Sequence, residues 1–163
     1  MPKFVAARTR EDAELVEKTA SDIWRESYAG IISGAQIEYM LESFQSAEEI
    51  LRQIDSGTVY MLIYLEYEIA GYLAYQPQKN MLFMSKLYLY PHFRGRGIAR
   101  AAFLHMTDFC ARNGLGRIRL TVNKYNLAAI GAYKKLGFCV YDEQQKDIGG
   151  GFLMDDYLME AVL

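Results

Sequence analysis

The sequence has little with which to build a covalent or metal-held scaffold. Its two cysteines, Cys110 and Cys139, lie inside apolar runs, which predicts buried free thiols in a reducing compartment rather than a disulfide. Its two histidines, His92 and His105, have no metal-ligand partners. No metal is expected, and both should occupy loop or surface places. Charge of one sign is also missing. With 18 Lys and Arg against 20 Asp and Glu the formal net charge is -2, which excludes a general polyanion binder, so no nucleic acid is expected. No apolar run approaches the length of a bilayer span, so no membrane is expected either. Lys3, Arg8 and Arg10 interrupt the first residues, and no apolar stretch follows of the kind a secretory leader carries. These absences point to a soluble cytoplasmic protein. Repeats, low-complexity tracts and linkers are absent too. Residues 1–163 are therefore expected to form a single domain, with 52% hydrophobic residues to fill its core.

What is present is a regular succession of elements. Lys3 to Arg8 reads as an edge strand. Thr9 with Asp12 reads as a helix N-cap and acidic first turn, opening a helix to about Tyr28 that Gly30 ends. Ser33 with Gln36, and Ser46 with Glu49, have capping-box spacing and open two shorter helices, the second from Ala47 to about Ile54. Three strands follow in hairpin succession, Thr58 to Leu65, Glu68 to Gln76 and Met81 to Tyr90, and should pair antiparallel. A helix from Gly97 to Asn113 buries Ile98, Ala102, Met106, Phe109 and Cys110, and leaves His105 solvated. It leads to a strand at Arg117 to Val122, which should lie parallel to the preceding one. Asn126 starts a helix that Gly137 ends. Phe138 to Tyr141 and Gly151 to Val162 read as the last strands, with the polar, glycine-rich QQKDIGGG between them as a loop.

The chain is organised around Ser85 to Arg100, SKLYLYPHFRGRGIAR. A strand stops at Pro91, which has no N–H for a ladder. A glycine-rich turn then feeds a helix N-terminus, where unpaired amides and the positive end of the dipole favour anions, phosphates above all. A P-loop is excluded because the turn ends Gly97-Ile98-Ala99-Arg100, without the Lys-Ser/Thr pair. A dinucleotide fingerprint is excluded because the third glycine is missing and an antiparallel meander precedes the turn.

A third class fits. Leu89-Tyr90-Pro91-x-x-Arg94-Gly95-Arg96-Gly97-Ile98-Ala99 resembles motif A of the GCN5-related N-acetyltransferases (GNAT), whose core Arg/Gln-x-x-Gly-x-Gly/Ala is met by Arg94, Gly97 and Ala99. A second motif of that family follows as Asn126-x-x-Ala129-Ile130-x-x-Tyr133-x-Lys135-x-Gly137-Phe138. The order of elements agrees along the whole chain. The resemblance implies an α/β (α+β) GNAT fold. Its central sheet is mixed but mostly antiparallel, flanked by helices in three α-β-α layers, with one parallel pair of strands splayed apart.

It also implies acetyl-CoA as cosubstrate and direct transfer of the acetyl group to a primary amine. The pyrophosphate would rest on the N–H groups of Gly95, Arg96, Gly97, Ile98, Ala99 and Arg100, with Arg94, Asn126 and Ala129 as further contacts. Pantetheine would run beside Leu87, Tyr88 and Leu89 in a pseudo-strand contact. Tyr133 stands where the family places a tyrosine near the CoA sulfur, and its phenol can hydrogen-bond or protonate the leaving thiolate.

The general base is less evident, because Ser85, followed by Lys86, stands where several polyamine-acetylating relatives carry a glutamate. Other acids are Glu26, Asp155 and Asp156, each read as a solvated charge before a base. The pattern Trp24-x-x-x-Tyr28 and the segment Phe152 to Tyr157 resemble the PaiA-like polyamine acetyltransferase subgroup. Trp24, Glu26, Tyr28 and Ser85 are then the candidate substrate contacts, acid and aromatic side chains suiting a cationic amine. Trp24 and Tyr28 also fit plain core positions. Homodimers are common in such a family. Competing readings are acetylation of a protein N-terminus or lysine, and a non-catalytic CoA-binding regulatory module.

Overall fold

A computed structural model describes residues 1–163. The chain opens with strand β1 (Lys3–Ala6) and helices α1 (Arg10–Ser27), α2 (Gly34–Phe44) and α3 (Ala47–Asp55). The meander β2 (Val59–Leu65), β3 (Glu68–Gln78) and β4 (Met81–Leu89) follows. A short 3-10 turn at Pro91–Phe93 leads to α4 (Ile98–Asn113), β5 (Arg117–Asn123), α5 (Leu127–Leu136), β6 (Cys139–Gly149) and β7 (Phe152–Val162).

The local signals act as their chemistry predicts. Thr9 Oγ accepts from the Asp12 amide at 3.1 Å, and the Asp12 carboxylate accepts from the Thr9 amide in return. The serines before α2 and α3 also cap, but their boxes stay open. Gln36 turns its side chain to the Leu153 carbonyl at 2.9 Å, and Glu49 turns to Arg52. In both cases a tertiary or local partner outcompetes the N-cap amide.

The seven strands form one sheet in the order β1-β2-β3-β4-β5-β7-β6. Every pairing is antiparallel except β4 with β5, joined by the α4 crossover. Two apolar clusters lie on opposite faces. One joins α1, α2 and α3 to β2 and β3 through Val16, Trp24, Ile50, Leu62 and Tyr72. The other joins α4 and α5 to the sheet through Ile98, Met106, Leu120, Ile130 and Met159. The result is the α-β-α sandwich with helices on both faces.

The parallel pair is brief. β4 and β5 pair only through Leu82, Phe83 and Met84 against Ile118, Arg119 and Leu120. Beyond them both strands continue without pairing to each other. Ser85 marks the reason: opposite β3 the register steps from Tyr75↔Met84 to Ala74↔Lys86, so Ser85 is the extra residue of a bulge. A bulge bends its strand and re-aims the side chains that follow.

Three expectations are corrected. The QQKDIGGG segment is not a loop, because Gln144 to Gly149 continue β6 against β7, and only Gly149, Gly150 and Gly151, all with positive φ, turn the chain. The segment is polar because β6 is an exposed edge strand, not because it lacks a ladder. Cys139, at the start of that edge, is exposed, whereas Cys110 is buried. His105 is not solvated: its ring stacks on Phe4 at 4.7 Å, and burial holds its pKa below the usual value.

Candidate active site

The glycine turn has the expected backbone. Gly95 and Gly97 have φ of +73° and +79°, a region L side chains avoid, and Gly97 is the N-cap of α4 without any side-chain cap. A Cβ added at either glycine would meet no protein atom within 4 Å, so the space above this end of α4 is open. The neighbouring side chains take separate directions. The Arg94 guanidinium binds both Glu26 oxygens, at 2.8 and 3.1 Å, and reaches Ser27 Oγ at 2.9 Å. Arg96 lies over the Phe93 ring, Ile98 packs into the core, and Arg100 is exposed.

Beside the turn lies a cavity of about 970 Å³. Its wall contains Leu87 and Leu89 of β4, Ala129 and Tyr133 of α5, and Gly95 and Ala99 of the turn and α4. It also contains Trp24 and Tyr28 at the end of α1, Met40 and Phe44 of α2, and Ile148, Met154 and Asp156 of the β6–β7 hairpin. The first set belongs with the α4–α5 face and most of the second with the α1–α3 face. The cavity therefore passes through the sheet where β4 and β5 part.

Tyr133 is half-buried in that opening, its ring edge-on to Phe138 at 5.8 Å. Burial first, and then the nearby Tyr28, hold its phenol well above the ordinary value, so it stays protonated. Asn126 caps α5 by accepting from the Ala129 amide at 3.3 Å, while its side chain also borders the cavity. On the other face Tyr28 and Tyr88 share a hydrogen bond of 2.8 Å, and Trp24 lies 5.4 Å from the Tyr88 ring. These three form one aromatic wall. Lys86, on β4 beside it, has its pKa lowered to about 8 by burial.

Asp156, on the same face of β7 as Met154, lines the α1–α3 side. It is 6% exposed, and its Oδ1 is buried without a hydrogen-bond partner. Burial first, and then the charge of Asp155, raise its carboxyl to about 6, with Lys146 and Lys124 opposing. Its neighbours differ. Asp155 Oδ1 is 2.9 Å from Lys124 Nζ. Glu26 is held below the usual carboxylate range by its hydrogen bonds from Arg94. The reading of Asp156 as a solvated charge is thus corrected, and Glu26 is committed to an ion pair rather than to the cavity interior. Ser85 donates to the Ala74 carbonyl at 3.3 Å, at the bulge.

Leu87, Tyr88, Leu89, Arg94, Gly95, Ala99, Asn126, Ala129 and Tyr133 gather on one cavity, with Trp24, Glu26, Tyr28 and Ser85. Arg96, Gly97, Ile98 and Arg100 lie outside its wall, leaving the backbone at the α4 N-terminus as what they offer. Met40, Phe44, Ile148 and Met154 were not among the site residues expected from sequence. A signal for Met154 existed: it shares a strand face with Asp156 by alternation. Nothing local showed that this face would meet α2.

Comparison with known proteins agrees with this fold. A model of the acetyltransferase (GNAT) family matches residues 19–138. The chain is 25% identical to the spermidine N(1)-acetyltransferase of Thermoplasma acidophilum over 150 residues, covering 89% of this chain and 91% of that protein. Among solved structures, the PaiA N-acetyltransferase of Thermoplasma acidophilum, in complex with coenzyme A, superposes with a TM-score of 0.84 at 23% identity, covering 100% of this chain and 99% of that one. The ribosomal-protein-S18-alanine N-acetyltransferase of Escherichia coli superposes with a TM-score of 0.72 at 16% identity, over 99% and 94% of the two chains. With two motifs on one cavity, a sheet parted between β4 and β5, and a family model spanning most of the chain, the protein belongs to the acetyltransferase (GNAT) family.

Proposed function

We propose that the chain transfers the acetyl group of acetyl-CoA directly to a small primary amine, with polyamines as the acceptor class. The observation that carries this is the cavity through the sheet, which lets a thioester enter from the α4–α5 face and an amine meet it from the other. The uncapped end of α4, with its two glycines at positive φ, suits the pyrophosphate. The unpaired edges of β4 and β5 beyond Met84 and Leu120 suit the amides of pantetheine.

Tyr133, half-buried in the cavity wall, is the residue this reading sets against the CoA sulfur. A phenol raised above its ordinary pKa of about 10 is a poor source of a free proton for a thiolate whose acid has a pKa of about 8.5. Its role is then to hold a hydrogen bond on the developing thiolate, passing the proton only as its own oxygen regains one. That interaction strengthens as charge grows on sulfur, as transition-state stabilisation requires.

A small acceptor is favoured by the contact between α2 and the β6–β7 hairpin. Tyr39 donates to the Ile148 carbonyl at 2.8 Å, and Gln36 to the Leu153 carbonyl. These bonds tie the hairpin to α2 on the side of the cavity proposed for the acceptor, which suits a short amine. The spermidine acetyltransferase relative supports the polyamine class.

The test is thiol release from acetyl-CoA with spermidine, simple alkylamines, amino acids and peptides. Release with the small amines is the expected outcome. Release only with peptides would move the reading to protein acetylation, and tight acetyl-CoA binding without release would leave a binding module. Tyr133→Phe should keep its CoA affinity and lose about 10²-fold in kcat. An unchanged kcat would remove the assigned role.

A further inference from the structure

We infer that Asp156 is the group that receives the acceptor's ammonium and takes its proton, supplying the base that β4 lacks at Ser85. The inference rests on the acetyl-transfer reading and names the acceptor end of the same site. The argument is one of elimination by partners. Among the acids near the cavity, Glu26 is bound by Arg94, and Asp155, ion-paired with Lys124, is not part of the cavity wall. Asp156 alone lines the cavity with a buried, unpartnered oxygen. An unpaired carboxylate in such a place is costly, and a cation brought to it relieves the cost.

Its surroundings fit a cation. Tyr88 borders the same space, backed by the buried Tyr28 and Trp24 rings, an aromatic side that suits an alkylammonium and its first methylenes. Asn123 of β5 and Gln144 of β6 flank Asp156 in the sheet register as neutral polar groups. The ionisable groups around it are Asp155 on β7, Lys146 on β6, Lys124 after β5, Tyr28 after α1, and Lys86 on β4. None of the three lysines forms an ion pair with Asp156, and Lys124 is already held by Asp155 and Glu143.

The proton balance closes. The ammonium gives one proton to the Asp156 carboxylate, which frees the nitrogen lone pair. That pair forms the C–N bond to the thioester carbonyl, and the C–S bond breaks with its electrons going to sulfur. The nitrogen loses its second proton as the amide forms, and the thiolate gains one with Tyr133 as the hydrogen-bonding relay. The proton on Asp156 then passes to water.

The test compares wild type with Asp156→Asn, using acetyl-CoA with spermidine and n-butylamine across pH 5 to 9. In the wild type kcat/KM should fall about tenfold per unit below pH about 6, where the carboxylate is lost. The Asn variant should lose about 10²-fold at pH 7.5, keep its affinity for CoA, and show no limb near pH 6. Wild-type turnover with an Asn variant of equal kcat/KM and the same pH profile overturns this assignment alone. No thiol release by the wild type with any amine overturns the acetyl-transfer reading, and this inference with it. Carbon-13 NMR titration of the wild-type carboxyl serves if the variant fails to fold. Asp156 should titrate near 6 and shift down on adding spermidine, whereas titration near 4, insensitive to amine, overturns the assignment.

Discussion

Glu26 and Asp156 show how little a residue type says without its partners. Both are carboxylates near tyrosine and tryptophan side chains in the cavity wall. Arg94 makes Glu26 a stronger acid, and burial without a partner makes Asp156 a weaker one. The second has a thermodynamic consequence. Since its folded pKa is raised, the folded protein retains a proton between about pH 4 and 6 that the unfolded chain has released. Stability is therefore lost as pH rises through that window, and the full penalty is present above it. Asp156→Asn should then raise unfolding stability at pH 8 by about 1–3 kcal/mol, with little gain near pH 4. Urea titrations at the two pH values check this, and an equal change at both would mean that packing, not ionisation, sets the difference. A site that costs stability and gains from a cationic ligand is a familiar compromise.

At the scale of elements, the β6–β7 hairpin was the hardest to read and matters most for the acceptor. The sequence CVYDEQQKDIGGG has neither the alternation nor the apolar content of a strand with one buried face. It forms one because β7 supplies a ladder over nearly its whole length. Gly149 and Gly150 then pass so close to Tyr39 that a Cβ at either would collide with its ring or hydroxyl. This close approach seats the hairpin tip on α2. Tyr39→Phe removes the hydrogen bond to Ile148, a loss of about 1 kcal/mol. It should raise KM for the amine several-fold and leave CoA affinity unchanged. A change in CoA affinity, measured by calorimetry, would mean that the hairpin also shapes the other end of the cavity. The α4 entrance was the most legible element, since Pro91, Gly95 and Gly97 each act through their own backbone. The helices were legible from caps and stripes, although neither Gln36 nor Glu49 completed its box.

For the whole molecule, the decisive feature is a sheet that parts in its middle. The two apolar clusters stabilise the two faces almost separately, and the cavity lies where they approach each other through the gap. A ligand threaded there contacts both, so it should stabilise the fold as a unit. Coenzyme A at 100 times its Kd should add about 2.7 kcal/mol, a rise in Tm on the order of 5–10 °C for a domain of this size. Gly97→Asn tests the entrance without much backbone strain, because asparagine tolerates positive φ. It should fold normally, bind coenzyme A about tenfold more weakly, a change of ~1.4 kcal/mol, and show a smaller thermal shift at equal ligand concentration. An undiminished shift would move the pyrophosphate away from α4.

The sequence by itself determined the family, the meander, the parallel crossover and the glycine turn, because each rests on local chemistry: proline without an N–H, glycine at positive φ, serine and threonine caps, apolar spacing. The tertiary structure alone decided which charges are free. Arg94 meets Glu26 and Lys124 meets Asp155 across long stretches of chain, and whether a carboxylate is solvated, paired or stranded depends on partners that no local pattern records. That is why Ser85 stood out in the sequence for lacking a carboxylate, whereas Asp156, one of three acids named there, was set apart from Glu26 and Asp155 only when β7 was laid beside β5 at the cavity.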